Sequence, residues 1–137
     1  MIELKCHKGI GAKVEGIAMV AKDNFSARYD LDRIKGVFSR PGHALAGQEY
    51  NDKVMVLNTA KGGVASAWML YEMNSRGICP KAILFNAANT ILAQGAALAD
   101  LPMCDRFEDG DITDLVQNGD HLIIDPPAGL VTITNRD

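Results

Sequence analysis

The chain has 137 residues, with 14 basic and 17 acidic side chains, a formal net charge of −3 and 47% hydrophobic residues. That length suits one domain with its own core, and the charge balance excludes a broad nucleic-acid surface, so any basic site has to be local. No apolar run reaches the roughly 18 residues a membrane span needs, and Met1 to Lys8 holds no long apolar secretory segment, so a soluble cytoplasmic protein with no membrane partner is expected.

Cys6, Cys79 and Cys104 stand far apart and outside any CxxC spacing, and His7, His43 and His121 form no HxxxH or HExxH pair. By spacing, neither a disulfide framework nor a metal or cluster site is encoded, so no metal or cofactor is expected on this chain. In chain order, a weak strand is expected at Ile2 to Cys6 and a stronger one at Val14 to Ala21, where Gly16 marks either a bulge or a close backbone approach. The stretch from Asn24 to Gly47 has no sustained period and reads as a long loop. It holds Arg28, Arg33, Lys35 and Arg40, the densest basic cluster, which serves either an anionic ligand or interface, or only a solvated surface.

The next unit is the centre of the chain. Lys53 to Leu57 is an apolar, β-branched strand, Lys61-Gly62-Gly63 a turn, and Val64 to Arg76 a helix. Val64, Ala67, Trp68 and Tyr71 recur at helical spacing and form the expected core face, widened by Met69, Leu70 and Met73. Gly77 stands where a terminating glycine belongs, and Pro80 blocks further helix. Lys81 to Asn86 is a second apolar strand. Strand, helix and strand make a βαβ unit, with a parallel pair and a right-handed crossover.

Beyond it, Asn89 to Gln94 reads as one helical turn ended by Gly95, Ala96 to Leu101 as an apolar segment stopped by Pro102, and Asp105 to Asp120 as acidic surface. His121 to Asp125 and Leu130 to Thr134 alternate around Pro126-Pro127-Ala128-Gly129, which predicts an antiparallel hairpin. The fold class is α/β: a compact single domain over residues 1–137, with mixed sheet layers and a helical layer sharing one core around the central βαβ unit.

The chemistry is expected where the strand meets the helix. Gly62 and Gly63 let the backbone turn tightly, and the helix that follows aims free N–H groups and its positive dipole end at the same point, which suits a small anionic substrate. Ser66 has two readings there. One is a helix cap or first-turn serine. The other is a base or nucleophile whose hydroxyl is acidified by the helix end and a nearby cation, for which Lys61 is nearest. A Walker A loop is excluded because the glycines are adjacent and no Gly-Lys-Ser/Thr ends the loop, and no GxGxxG follows the strand. Gly63-Val-Ala-Ser66-Ala also lacks the glycine after serine of a nucleophile elbow. His43, beside Pro41-Gly42, reads as a backbone-bonded loop histidine or, less economically, a phosphocarrier.

Phe25-Ser26, the strand from Val54, Lys61-Gly62-Gly63-Val64-Ala65-Ser66, Tyr71, Gly77-Ile-Cys-Pro80-Lys-Ala82-Ile83 and the segment Ile91 to Pro102 together resemble the small, swivelling-domain subunit of the aconitase X family. That family includes phosphomevalonate dehydratase and the hydroxyproline dehydratases. The resemblance implies a β/β/α swivelling domain that pairs as a heterodimer with a large catalytic subunit. In that division the large subunit holds an iron–sulfur cluster or metal, and the small one lends a serine base, here Ser66. It implies a hydro-lyase acting on a small hydroxy acid such as cis-3-hydroxy-L-proline; from the residues themselves, Lys61, Gly62, Gly63, Val64 and Ala65 are expected to bind it, with Arg28 and Arg33 of the basic loop. Two departures bear on the substrate: Lys61-Gly62-Gly63 stands where relatives carry Arg-Gly-Ser, and Arg28-Tyr-Asp30-Leu-Asp32-Arg33 replaces a glycine-rich stretch. The alternatives are a non-catalytic anion-binding or regulatory swivelling module and a phosphohistidine carrier using His43.

Overall fold

The apolar runs at 54–57 and 82–85 are wholly buried, residue after residue, as expected only of strands covered on both faces. The computed structural model describes residues 2–22, 31–32, 36–38, 45–59, 64–88 and 90–135, and of 31–32, 64–67, 90–92 and 135 the backbone alone. Its strands are β1 (Ile2–Lys5), β2 (Val14–Val20), β3 (Leu31–Asp32), β4 (Val37–Phe38), β5 (Lys53–Thr59), β6 (Ala82–Ala87), β7 (Met103–Cys104), β8 (His121–Asp125) and β9 (Leu130–Asn135). Its helices are α1 (Val64–Arg76), α2 (Thr90–Leu98) and the short α3 (Ile112–Leu115).

Seven strands form one mixed sheet in the order β1-β9-β8-β2-β5-β6-β7. The β2-β5-β6-β7 half is parallel, and β1-β9-β8-β2 is antiparallel. Side chains alternate across the pleat, so each parallel strand feeds two cores. Met55, Leu57, Ile83 and Phe85 pack with Leu70 and Met73 of α1 and Ala96 of α2. Val54, Val56, Ala82 and Leu84 pack with Leu4, Leu122, Ile124, Val131 and Ile133 from the antiparallel half and Ile112 of α3. The result is the expected β/β/α layering around the β5-α1-β6 unit.

The sheet curls almost to closure. Past β1 the chain bridges to β7, the opposite edge, where Ile10 and Met103 exchange both backbone hydrogen bonds at 2.9 and 3.0 Å. The hairpin β8-β9 turns through a 3-10 turn, Pro126–Ala128, and ends on Gly129 at φ 66°. A Cβ there would lie 2.6 Å from the Cys6 carbonyl oxygen, so glycine is required by conformation and by crowding.

Several expectations are corrected. Trp68 and Tyr71 do not face the core: they are 61% and 48% exposed, while Leu70 and Met73 are fully buried. α1 is apolar around much of its circumference, so spacing alone fits more than one stripe, and the small residues of α2 together with the sheet select the 70/73 face. Helix α2 runs through Gly95 to Leu98 rather than stopping, because its buried side needs small residues against α1. Gly16 is no bulge, since β2 and β8 pair without a break, but a close approach, with the Val54 Cγ2 methyl 3.2 Å from its would-be Cβ. The segment 105–120 is not all surface: Phe107, Ile112, Val116 and Asp120 are buried. Nor is the long loop all surface, because β3 and β4 pair and Phe38 and Leu45 enter the helix-side core, where Phe38 meets Tyr50, just past the loop, edge to face at 6.2 Å.

Gly77 terminates α1 as expected. It sits at φ 73°, with Gly77 N–H donating to Asn74 O and Ile78 N–H to Met73 O, both at 3.1 Å. Those two bonds are the paired pattern of a Schellman ending, and Ile78 then packs on the core that holds Met73.

Candidate functional site

Parallel strands β2, β5, β6 and β7 all present their carboxyl ends at one edge, the place where α/β sheets form ligand crevices. α1 begins at that edge because it follows β5 directly in a βαβ crossover. Ser66 is the third residue of α1, inside the first turn. That position is a first-turn serine rather than the cap itself, among residues whose backbone N–H groups have no intrahelical acceptor. Val64 and Ala65 share this turn, although the side chains of all three lie outside the described residues, as do Lys61, Gly62, Gly63, Arg28, Arg33 and His43 entirely.

The described part of the edge is polar, and the sequence reasoning missed it. β5 and β6 pair with Leu57 opposite Phe85 and Thr59 opposite Ala87, which places Asn58 beside Asn86 on one face. Asn86 Nδ2 donates to Asn58 Oδ1 at 3.0 Å and to Asp111 Oδ1 at 2.8 Å, and its own Oδ1 accepts from Ile112 N–H at 2.8 Å. Asp111 caps α3, accepting from Thr113 N–H at 2.9 Å and Thr113 Oγ1 at 2.6 Å. The Thr113 hydroxyl, then the Asn86 amide, hold the Asp111 carboxyl below the usual carboxylate range. One signal was available in the sequence: both apolar strand runs end in asparagine, Leu57-Asn58 and Phe85-Asn86.

Two clefts lie along this edge. One, of about 420 Å³, is lined by Asn86, Arg106, Phe107, Gly110 and Asp111. Arg106 is held there at φ 61°, its N–H donating to Asn86 O at 3.2 Å. The other, of about 270 Å³, lies among Lys8, Ile10, Ala88, Ala93 and Asp105. Asp105 Oδ2 accepts from Ala88 N–H at 3.1 Å and stands 3.9 Å from Arg106 Nε. Lys22, just past β2, pairs with Asp114, which raises the Lys22 pKa. Among the described residues no three His, Cys, Asp or Glu side chains converge as a metal site, and no helix is long and apolar enough to cross a membrane.

A three-layer α/β domain with a polar crevice at the carboxyl edge of its parallel strands, and a helix starting there, is the class this geometry defines. Residues 3–133 match the aconitase X swivel domain family, and the chain belongs to it. It is 29% identical to the phosphomevalonate dehydratase small subunit of Methanocella arvoryzae, over 97% of this chain and all of that one. The small subunit of the same name from Thermococcus sibiricus is 30% identical, over 96% of this chain and 98% of its own length. The crystal structure of Thermococcus kodakaraensis aconitase X in its holo form superposes with a TM-score of 0.91 at 27% identity, covering 98% of this chain and 100% of that chain. The chain is thus similar throughout to small subunits of aconitase X-type dehydratases.

Proposed function

We propose that this chain is the small subunit of a heteromeric hydro-lyase, inactive alone, that removes water from a small hydroxy acid when joined to a large aconitase X-type subunit. The observation that carries this reading is the position of Ser66, in the first turn of α1 at the carboxyl edge of β5 and β6. There Ser66 takes the proton from the carbon beside the substrate carboxylate, while the free N–H groups of the same turn hold the carboxylate or the enolate that develops from it. Lys61, Gly62, Gly63, Val64 and Ala65, with Arg28 and Arg33 from the stretch of chain between β2 and β4, complete the anion site. In this reading the electrophile, the iron–sulfur cluster or metal ion that the family resemblance implies, belongs to the large subunit.

For the substrate we favour cis-3-hydroxy-L-proline. Of the described cations along the edge, Lys22 and Arg106 each stand beside a carboxylate, Lys8 lines the smaller cleft together with Asp105, and Asp111 adds a further negative charge. That balance suits a zwitterion better than a phosphate ester, although the relatives' name makes phosphomevalonate the necessary comparison. The test is to assay the purified complex on both compounds and then to repeat it with Ser66→Ala. Turnover of the preferred compound is expected to fall by about 10² to 10⁴ with little change in KM, as for loss of a positioned base. A fully active Ser66→Ala complex overturns the mechanism and leaves the chain as a closing or anion-binding module. Dehydration of phosphomevalonate alone overturns the substrate assignment only.

A further inference from the structure

Cys6 and Cys104 lie 98 positions apart in sequence, yet their thiols are hydrogen-bonded to one another across the seam where the curled sheet closes. The backbone fixes this meeting from both sides. Cys6 N–H donates to Gly129 O at 2.9 Å, His7 N–H to Asp105 O at 3.2 Å, and Ile10 is laddered to Met103. Cys104 is buried in the core between the sheet layers, and Cys6 packs against that core while remaining partly open to solvent. We infer that Cys6 and Cys104 form a peroxide-sensitive dithiol, Cys6 reacting first and Cys104 resolving it to a disulfide that staples the segment after β1 to β7.

The difference in exposure supports that order, Cys6 being partly open to solvent and Cys104 buried. The Cys104 hydrogen bond lowers the Cys6 pKa, against opposing effects of burial and of the Asp105 and Glu108 carboxylates, whereas the Cys104 pKa is raised by the same bond and by burial. Cys79 provides an internal contrast, its thiol pushed up to about 11 by burial and Asp52. The thiolate is the reactive form, and Cys6 is the member of the pair that dissolved peroxide reaches. The Cys6 thiolate attacks one oxygen of hydrogen peroxide, giving the sulfenic acid and a hydroxide that takes up the proton Cys6 had released, the first water. The Cys104 sulfur then displaces that hydroxyl, its own proton neutralising the hydroxide, so two thiols and one peroxide become one disulfide and two waters. A dithiol reductant reverses the step.

The test treats the full chain with one equivalent of hydrogen peroxide, then blocks remaining thiols and maps the peptides. The expected product has lost two hydrogens, links Cys6 to Cys104 and leaves Cys79 free for alkylation. Because the closed loop is about 100 residues long, the thermal midpoint should rise by about 10 °C and return on reduction. Cys79→Ser should behave as the parent, and Cys104→Ala should stop at a Cys6 sulfenic acid that dimedone traps. If Cys104→Ala does not fold, the peptide map of the parent decides by itself. A disulfide containing Cys79, or a Cys6 overoxidised to sulfinic acid beside a free Cys104, overturns the pairing. An unchanged or lower midpoint in the linked chain overturns the staple.

Discussion

Trp68 is the largest side chain on α1, and it stands outside both cores, touching Tyr71 edge to face at 6.2 Å. Its loss should therefore cost little: Trp68→Ala is expected to change unfolding free energy by no more than about 0.5 kcal/mol, as for a surface site. Leu70→Ala, two positions on and fully buried, should lose about 2 to 5 kcal/mol. Denaturant titration of both variants measures the contrast, and equal losses would place the helix face wrongly. Asp111 supplies a test of charge at the crevice. Its carboxyl pKa is depressed in the fold, so its contribution is fully present above the unfolded value, about 3.9, and is lost as pH falls through the folded value. Asp111→Asn should thus be less stable than the parent at neutral pH, with the gap narrowing below about pH 4. A gap independent of pH would show that the bonds to Thr113 and Asn86 act through shape alone.

At the scale of elements, the hairpin β8-β9 and the segment after β1 are fitted to each other through Gly129. Its αL backbone and its contact with the Cys6 carbonyl are separable effects, because Gly119 has a positive φ of 88° but nothing within 4 Å of its would-be Cβ. Gly119→Ala should cost about 1 kcal/mol from backbone strain alone. Gly129→Ala should cost clearly more, since Cys6 must shift as well, and thermal melts of the two variants read the difference directly. Helix α1 is the element that joins stability to function. Its carboxyl half anchors it to the sheet through Leu70 and Met73, leaving its first turn at the open edge with Ser66. A base placed there is positioned by packing at the far end of the same rigid rod.

For the whole molecule, the two cores on opposite faces of one sheet make a self-supporting layer structure, while the proposed reaction uses the crevice at its carboxyl edge as one of its two sides. The proposed division of labour makes the isolated chain catalytically silent, with dehydration appearing on addition of the large subunit; turnover by the purified chain alone would refute it. Arg28→Ala and Arg33→Ala should then raise KM or weaken subunit association while leaving stability within about 0.5 kcal/mol. Measuring all three quantities on the same preparations separates a ligand role from a structural one.

Local chemistry made much of this fold legible in advance. The β5-α1-β6 unit follows from two β-branched apolar runs flanking a helical period, its end from Gly77, and the β8-β9 hairpin from alternation about Pro126 to Gly129, because each signal acts between residues close in the chain. Ser66 could likewise be read onto the first turn of a helix. Which stripe of α1 is buried could not be read, since a helix apolar around much of its circumference leaves the choice to the sheet and α2. The Asn58-Asn86-Asp111 cluster and the Cys6–Cys104 pair were equally hidden, as both join residues distant in sequence through strand register and sheet closure. Strands β1, β2, β5, β6, β8 and β9, helix α1 and its terminating turn were legible because the deciding interactions are local; the short strands β3, β4 and β7, the buried faces and the meetings of distant side chains came only with the fold, because those depend on how the layers pack.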